Sequence, residues 1–411
     1  MTADSLSGRN RVLVLTSTFP RWEGDREPPF VFELSRRLAK QFDVVVLAPH
    51  APGAKTREQF GGIDVHRFRY CFPRMQRLAY DGGILANLKR NRFNYLLVPL
   101  FTAAEFISLI RLLRQSRIDA IHAHWLIPQG LVALAARLFS IEKPVIVCTS
   151  HGGDLFGLSG PLLSAVKRAI IRRVDKLTVV SHAMADYAAT LADRHDLEVI
   201  PMGVDLAHRF TPLPERASAP DEILFAGRLV EKKGVRYLIL AMPMIVQRRP
   251  QVTLLIAGEG PEREELEKLA FATGVAGHIR FLGAIENRDL RTLYRRAAVF
   301  VAPSVVARGG DQEGLGLVFV EALGCGCAVV ASDLPAIRDV IIDGVTGLIC
   351  KQKDSADLGR KVLTLLDDPI QRAKLGAAGR RHVADRFDWE IVAERYRQLI
   401  DALLQRQPAS P

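Results

Sequence analysis

The chain has 411 residues, of which 48% are hydrophobic and 25% charged, and its formal net charge is +11. This length suits two or three domains and excludes a single small binding module. The composition excludes a disordered or fibrous protein. Five scattered cysteines without a C-x-x-C pair favour neither a disulfide framework nor a zinc site, and they indicate a reducing compartment.

No export or membrane-spanning signal is predicted. The first ten residues are polar and lack the basic and apolar regions of a signal peptide, which indicates a cytoplasmic protein. The longest apolar segment, 95–113, contains Pro99, Glu105 and Arg111. We expect these residues to interrupt the ~20 lipid-compatible positions that a spanning helix needs.

The first half of the chain alternates short apolar runs with longer helical patterns, which predicts βαβ units and a parallel sheet. Helices are predicted at 30–41 and 130–139, and residues 1–205 are interpreted as one doubly wound domain. The predicted strands are 11–17, 43–49, 120–125, 144–150, 176–181 and 197–202.

A second doubly wound domain is predicted at 222–385, after a proline-rich linker at 206–221. Its predicted strands are 222–227, 251–258, 278–283, 299–304, 327–332 and 347–350. The last segment, 386–411, is predicted to form a helix with an apolar stripe made by Phe387, Ile391, Tyr396, Leu399 and Leu403 or Leu404. Open α/β sheets bind ligands at the carboxyl ends of their strands, so we expect a site between the two domains.

The segment GRLVEKKG at 227–234 directly follows a predicted strand. Gly227 lets the backbone turn there, and Arg228 and Lys233 are suited to a diphosphate, the first as a planar fork and the second as a point charge. The alternative is a basic pair that is simply exposed to solvent.

A second motif, EGLGLVFVE at 313–321, combines two carboxylates with a glycine-rich turn. The amides of Gly314, Leu315 and Gly316 precede a helix, where free N–H groups favour phosphate oxygens. Glu313 and Glu321 can accept hydrogen bonds from sugar and ribose hydroxyls. A helix cap or a dipole partner is the alternative for an acid in this position.

Histidines follow two strands of the first half. His151 lies in CTSHGGDLF, and a packing or capping role is its alternative. His122 and His124 share one face of a strand; without a third ligand we interpret them as structural or acceptor-side residues rather than a metal site. The segment AGEGPE at 257–262 lacks the third glycine of a dinucleotide motif, so it supports NAD binding only weakly.

Residues 51–150 contain 14 Lys and Arg against 6 Asp and Glu. Within this stretch, 67–100 interleaves basic residues with aromatic and aliphatic ones, a pattern that suits an anionic lipid surface. We therefore predict peripheral membrane contact there. Single-stranded nucleic acid is the alternative, but no recognition motif accompanies the patch, and no nucleic-acid partner is predicted.

Taken together, the motifs resemble the retaining glycosyltransferases of family 4. This resemblance implies the GT-B architecture, in which two Rossmann-like domains face each other and a C-terminal helix crosses back to the first. It covers almost the whole chain and rests on TSTFPRWEGDREPPFVFELSRRLA, HAHW, TSHGGDLF, VVSHAM, VIPMGVD, FAGRLVEKKGVRYLI, LLIAGEGPEREELEKLA, RFLG, VAPS, EGLGLVFVEALGCG and the closing FDWE helix.

The resemblance also implies roles for individual residues. Arg228 and Lys233 would hold the donor diphosphate and neutralise its charge without a metal. Glu313 would contact the donor sugar, Glu321 the ribose, and Gly314–Gly316 the sugar and phosphates. The remaining implied contacts are Gly227 to the donor, Gly283 beside the base, and His151 facing the transferred sugar from the first domain.

The implied function is transfer of a hexose or N-acetylhexosamine from a UDP- or GDP-linked sugar to a saccharide or polyprenyl-linked acceptor in cell-surface polysaccharide synthesis. No cofactor or metal is implied. Two alternatives stay open: a sugar-nucleotide epimerase of the same architecture, and a non-catalytic sugar-nucleotide-binding or scaffold subunit. Fold alone does not distinguish them.

Overall fold

The computed structural model describes residues 8–25, 27–213 and 219–406, apart from the side chains of 287 and 288. The chain divides into two compact units. The first comprises the residues up to Val180, Met184–Ile200 and those from Val392 onward. The second comprises Ser181–Ala183 and Pro201–Ile391.

The first unit is built on a sheet whose described strands run in the order β3-β4-β2-β1-β5-β6-β7-β8. All neighbours in this sheet are parallel except β3 and β4. The central strands are buried on both faces, which explains their continuous apolar sequences. The strands are β1 Arg11–Leu15, β2 Asp43–Pro49, β3 Arg57–Phe60, β4 Ile63–Phe68, β5 Ala120–His124, β6 Val145–Ser150, β7 Lys176–Val179 and β8 Glu198–Val199.

Helices connect these strands. In the first of them, α1, the side chains of Val31, Leu34 and Leu38 are buried, at the spacing of one helical face. The helices are α1 Phe30–Leu38, α2 Ile84–Arg90, α3 Leu97–Gln115, α4 Leu131–Leu138, α5 Gly153–Phe156, α6 Pro161–Arg173 and α7 His182–Ala192.

The hairpin of β3 and β4 was not predicted from the sequence, and it changes the interpretation of the basic segment 67–100. Arg67 lies in β4 with a fully buried side chain, 2.5 Å from the Glu58 carboxylate. Phe68, Tyr70 and Tyr80 are also buried. Part of the segment is therefore core, and the interpretation of all of it as a basic and aromatic surface is wrong.

The expectation that Pro99, Glu105 and Arg111 interrupt the apolar segment is also wrong. A helical segment runs through all three, from Arg92 to Gln115, and by length and composition it could cross a membrane. Pro99 is tolerated because it lies in the first turn of α3, where its missing N–H is not needed. Only 28% of the most apolar window of this helix is buried.

The second unit contains a sheet whose described strands follow the order β11-β10-β9-β12-β13-β14. All of these neighbours are parallel. The first strand starts at Ala219, three residues before the predicted start, and 214–218 of the predicted linker lie outside the described residues. The strands are β9 Ala219–Ala226, β10 Thr253–Ala257, β11 Ile279–Gly283, β12 Ala297–Ala302, β13 Ala328–Ser332 and β14 Leu348–Cys350.

Of the helices of this unit, those at 235–248, 263–272, 355–367 and 369–387 contribute to one apolar core on the sheet. In chain order, the described helices are α8 Val235–Arg248, α9 Arg263–Ala272, α10 Asn287–Arg296, α11 Leu317–Gly324, α12 Ser355–Asp367 and α13 Pro369–Phe387. Parallel strands alternating with helices in both units confirm the predicted doubly wound α/β class.

The predicted terminal helix is interrupted. Helix α13 ends at Phe387 and α14 occupies Trp389–Arg406, with Asp388 in an extended conformation between them. The Asp388 carboxylate accepts the backbone N–H of Glu390 at 3.0 Å, which caps the new helix. In the predicted stripe Tyr396 and Leu399 are buried, whereas Ile391 is exposed.

Candidate functional site

Glycines line the carboxyl edge of the second sheet. A Cβ atom at Gly258 would lie 1.8 Å from the Gly227 carbonyl oxygen, so only glycine permits this approach of two strand ends. The Gly258 N–H in turn donates to the Gly283 carbonyl at 2.7 Å. The predicted residues Gly227 and Gly283 therefore flank one continuous backbone edge, from which the exposed Arg228 extends.

Lys233 and Glu313 meet directly, although they are 80 positions apart in the sequence. Lys233 ends a short 3₁₀ turn, Glu231–Lys233, and its Nζ lies 2.5 Å from Glu313 Oε2. The two side chains are only 16% and 14% exposed. The structure thus joins the two predicted motifs through an ion pair that the sequence did not indicate.

Lys232 forms a second ion pair, beside that of Lys233, which sequence analysis missed. Its Nζ donates to Asp311 Oδ1 at 3.0 Å, and its carbonyl accepts the Val305 N–H at 2.8 Å. Two adjacent lysines therefore tie the turn after β9 to the loop after β12. The doubled lysine in GRLVEKKG was the available signal.

These cations determine the charge of Glu313. Burial alone would raise the pKa of this carboxyl, but the charges of Lys233 and Lys232 outweigh burial, and the pKa is lowered from its usual value. Glu313 is therefore ionised at neutral pH. A lysine ammonium has three N–H donors, so Lys233 can bind Glu313 and a phosphate oxygen together.

The predicted turn Gly314–Gly316 leads into α11. Gly316 has φ +83°, and a Cβ atom there would lie 2.6 Å from the Phe319 ring. Any other residue would be strained at this position and would displace the ring. Leu315 is 5% exposed, so its side chain fixes the turn in the core.

Glu321 lies one turn into α11 and differs from Glu313 in charge state. The Tyr294 hydroxyl donates to its Oε2 at 3.1 Å. Burial raises the pKa of Glu321 to about 7, although the hydrogen bond from Tyr294 and the charge of Arg209 oppose this. Sequence analysis missed Tyr294, which lies on α10 and has no motif around it.

His151 lies in the first unit, at the end of β6. Its Nε2 is 3.0 Å from Nδ1 of His124, and the rings of Trp125 and Phe30 lie 4.9 and 5.0 Å away. Burial lowers the pKa of His151 to about 3, so the ring is neutral at physiological pH. Among the described residues, no group of three or more His, Cys, Asp and Glu could hold a metal ion.

Comparison with known proteins adds to this geometry. The family described as "Glycosyltransferase Family 4" matches residues 29–208, and "Glycosyl transferases group 1" matches 214–382. A GDP-mannose-dependent monoacylated alpha-(1-6)-phosphatidylinositol monomannoside mannosyltransferase of Corynebacterium glutamicum is 33% identical over 325 residues, covering 76% of this chain and 82% of the relative. The glycogen synthase of Mycobacterium tuberculosis is 32% identical over 304 residues, covering 72% of each chain.

Solved structures share the fold. Sucrose-phosphate synthase from Thermosynechococcus elongatus has a TM-score of 0.79 and 23% identity, covering 97% of this chain and all of the other. Anabaena HepE in complex with UDP and glucose has a TM-score of 0.73 and 19% identity, covering 96% of this chain and all of HepE.

The two Rossmann-like sheets and these neighbours define a GT-B glycosyltransferase. The predicted fold class is confirmed. Since a relative 33% identical covers 76% of the chain, and the two family matches lie at 29–208 and 214–382, the protein belongs to glycosyltransferase family 4. The resemblance drawn from the sequence motifs is confirmed with it.

Proposed function

We propose that the protein transfers a hexose or N-acetylhexosamine from a nucleoside diphosphate sugar to a hydroxyl of a saccharide or lipid-linked saccharide, with retention of anomeric configuration. The observation that carries this proposal is the half-buried Lys233–Glu313 pair beside the glycine edge of the second sheet. This pair supports the proposal because a lysine ammonium is suited to phosphate and an ionised carboxylate to sugar hydroxyls, and the two groups are hydrogen-bonded to each other.

The reaction we propose is the same-face displacement that the family resemblance implies. The bond between the anomeric carbon and the diphosphate oxygen breaks, and the acceptor oxygen bonds to the same face of that carbon. The acceptor proton passes to the departing diphosphate. Arg228 and Lys233 stabilise the negative charge that develops there, so these side chains supply the electrostatic catalysis.

Other residues orient the substrates. Glu313 accepts hydrogen bonds from the donor sugar, Glu321 from the ribose, and His151 contacts the transferred sugar. The relatives support the substrate class, since the corynebacterial relative is named for GDP-mannose and a phosphatidylinositol-linked mannoside. A GDP- or UDP-linked donor and a lipid-linked acceptor of cell-surface polysaccharide synthesis are proposed on this basis.

Donor binding is tested by thermal shift with UDP-, GDP- and ADP-linked sugars on the full chain. One of them should raise the free energy of unfolding by about 2.7 kcal/mol at 100 times its Kd. A Lys233→Ala variant is the control and should lose most of this shift. Transfer to an acceptor is then followed by NMR of the product's anomeric proton, which distinguishes retention from inversion.

Three outcomes contradict the proposal. No shift with any activated sugar would refute donor binding. Binding without transfer would favour the non-catalytic subunit, and release of an epimerised sugar without acceptor would favour the epimerase.

The acceptor side includes the proposed membrane contact. Along the helical segment from Arg92 to Gln115, the exposed positions Leu96, Leu100, Ala103 and Ile107 follow one helical stripe. Leu96 is 71% and Leu100 51% exposed, so this stripe, which we call the apolar helix face, is open to solvent. A soluble helix normally exposes polar residues there.

The charges around the apolar helix face suit anionic lipids. Residues 71–115 contain seven basic residues against Asp81 and Glu105, and Glu105 is buried. An interfacial helix binds by burying its apolar face while cations attract the headgroups, each contributing ~1 kcal/mol. The exposed basic residues are Arg74, Arg77, Lys89, Arg90, Arg92, Arg111 and Arg114.

Vesicle flotation tests this contact. The wild-type chain should float with phosphatidylglycerol-containing vesicles and remain unbound to pure phosphatidylcholine. Leu96→Ser combined with Leu100→Ser should weaken binding about tenfold or more, because each change removes apolar burial in the bilayer.

A matched control carries Phe271→Ser and Ile370→Ser, which alter side chains 82% and 83% exposed in the second unit. This variant should bind as the wild type does. Equal or absent binding to both vesicle types would refute the membrane contact. So would a Leu96→Ser/Leu100→Ser variant that keeps vesicle binding but loses self-association in sedimentation.

A further inference from the structure

Three histidines lie side by side in the first unit, and two of them have no part in the proposed reaction. His122 and His124 are alternate residues of β5, so they share one face of the sheet, and His151 follows the neighbouring β6. His122 and His124 are 1% and 0% exposed, and His151 is half-buried. Burying polar rings inside a sheet is costly, which points to a specific task.

His124 is placed between the other two rings. Its ring is nearly parallel to that of His151, with 5.2 Å between ring centres and 13° between planes. On its other side the ring centre of His122 is 4.3 Å away. The hydrogen bond between His124 Nδ1 and His151 Nε2, at 3.0 Å, therefore joins two rings whose orientations are fixed by packing.

A hydrogen bond between two neutral imidazoles needs one N–H donor and one bare nitrogen acceptor. Burial lowers the pKa of both His124 and His151, so neither ring is charged at neutral pH. The tautomers of the two rings are consequently coupled: the nitrogen protonated in one determines the nitrogen protonated in the other.

The second ring nitrogen of His124, Nε2, indicates which of the two rings donates the hydrogen bond. His124 Nε2 is buried without a hydrogen-bond partner among the described residues. An orphaned buried N–H is rarer than an orphaned acceptor, which favours a bare Nε2 and a proton on Nδ1. His124 then donates to His151 Nε2, and His151 carries its own proton on Nδ1.

The same argument, that a buried nitrogen without a partner carries no proton, assigns the tautomer of His122. His122 Nε2 lies 2.7 Å from Thr149 Oγ1, while its Nδ1 is buried without a partner in the described chain. Thr149 Oγ1 lies 2.6 Å from Thr178 Oγ1 and 3.2 Å from the hydroxyl of Tyr396, on α14. These buried hydroxyls hold the ring of His122 beside that of His124.

We propose that His124 is a positioning residue that holds His151 in the Nδ1–H tautomer, so that His151 presents a hydrogen-bond donor to an oxygen of the transferred sugar. The second half of this statement rests on the proposed function. The first half concerns the ligand-free protein alone and can be tested without any transfer reaction.

The tautomer is measured by long-range ¹H–¹⁵N correlation spectra of the ¹⁵N-histidine-labelled full chain. His151 should show a protonated Nδ1 and a bare Nε2 between pH 6 and 8. In His124→Asn the side-chain amide takes the place of Nδ1, so the tautomer should persist. In His124→Phe the ring stays but the donor is lost, and His151 should shift toward the Nε2–H form.

The kcat values of the His124 variants should parallel their effects on the His151 tautomer. His124→Phe should lower kcat about tenfold or more with KM for the donor little changed, whereas His124→Asn should recover most of kcat. His122→Gln, which keeps a nitrogen for Thr149, is the matched control and should leave the His151 tautomer unchanged.

A wild-type His151 protonated on Nε2 would overturn the proposal. An unchanged tautomer and kcat in His124→Phe would overturn it equally. If His124→Phe does not fold, the wild-type and His124→Asn spectra still decide. Correct tautomers in a protein that transfers no sugar would refute the proposed function and leave the positioning role intact.

Discussion

Replacing Lys233 by alanine is expected to lower kcat/KM about 1000-fold while the chain stays folded. Removing one preorganised donor from a site of developing negative charge costs about 10²–10³ in rate. In this protein the change also leaves the Glu313 carboxylate without the ion pair at 2.5 Å that keeps it ionised and oriented. Initial rates with the donor identified by thermal shift measure the loss.

The pair also contributes to stability. Its side chains are mostly buried, so breaking it should cost about 1–3 kcal/mol, between the values for exposed and fully buried pairs. Glu313→Ala should remove turnover as well. In a double-mutant cycle the Lys233→Ala/Glu313→Ala chain should be less destabilised than the sum of the single changes.

Lys232→Ala is the matched control, since it removes a neighbouring lysine paired to Asp311 at 3.0 Å. It should reduce kcat/KM far less than Lys233→Ala. Full activity in both Lys233→Ala and Glu313→Ala would refute the donor-site assignment. Equal losses for Lys232→Ala and Lys233→Ala would indicate that the loop as a whole, and not Lys233, is required.

The strands were predictable from the sequence where both of their faces are buried. Strands such as β1 and β13 are buried on both faces, and their unbroken apolar sequences identify them as strands. The hairpin β3–β4 was missed because β3 alternates exposed and half-buried residues at a sheet edge. The helix break at Asp388 was missed because α14 starts directly after it. The apolar stripe in the sequence therefore continues without a visible interruption.

The site was predictable only as far as the motifs reach. Spacing within a motif indicated Lys233 and Glu313, but their ion pair depends on which strands become neighbours, since β9 pairs with β12. Tyr294 reaches Glu321 from a different helix, and no local pattern marks it. The bond of His124 to His151 likewise arises from the pairing of β5 with β6.

Replacing Glu321 by glutamine is expected to stabilise the ligand-free protein at pH 8 and to weaken donor binding about tenfold. In the folded chain the pKa of Glu321 is raised from 4.5 to about 7, so the folded state favours the protonated form. Its contribution to stability is complete below pH 4.5, falls as pH rises, and is lost above about 7.

Glutamine imitates the protonated acid and still accepts the Tyr294 hydrogen bond. The variant should therefore match the wild type at pH 4.5 and exceed it at pH 8 by about 1–3 kcal/mol in free energy of unfolding. Donor binding needs the ionised carboxylate as a hydrogen-bond acceptor. Wild-type donor affinity should thus fall as pH drops below 7, and the Glu321→Gln variant should lose this dependence.

Glu313→Gln is the matched control, and its expected effect on the free energy of unfolding at pH 8 has the opposite sign. The pKa of Glu313 is lowered in the folded state, so its contribution is present above pH 4.5 and lost as pH falls through that lower value. Glu313→Gln should therefore destabilise the chain at pH 8. Denaturant unfolding at both pH values measures both variants. If Glu321→Gln also destabilised the chain at pH 8, the folded state would favour the carboxylate, and the pKa of Glu321 would not be raised by folding. An unchanged donor affinity would remove Glu321 from the ribose site.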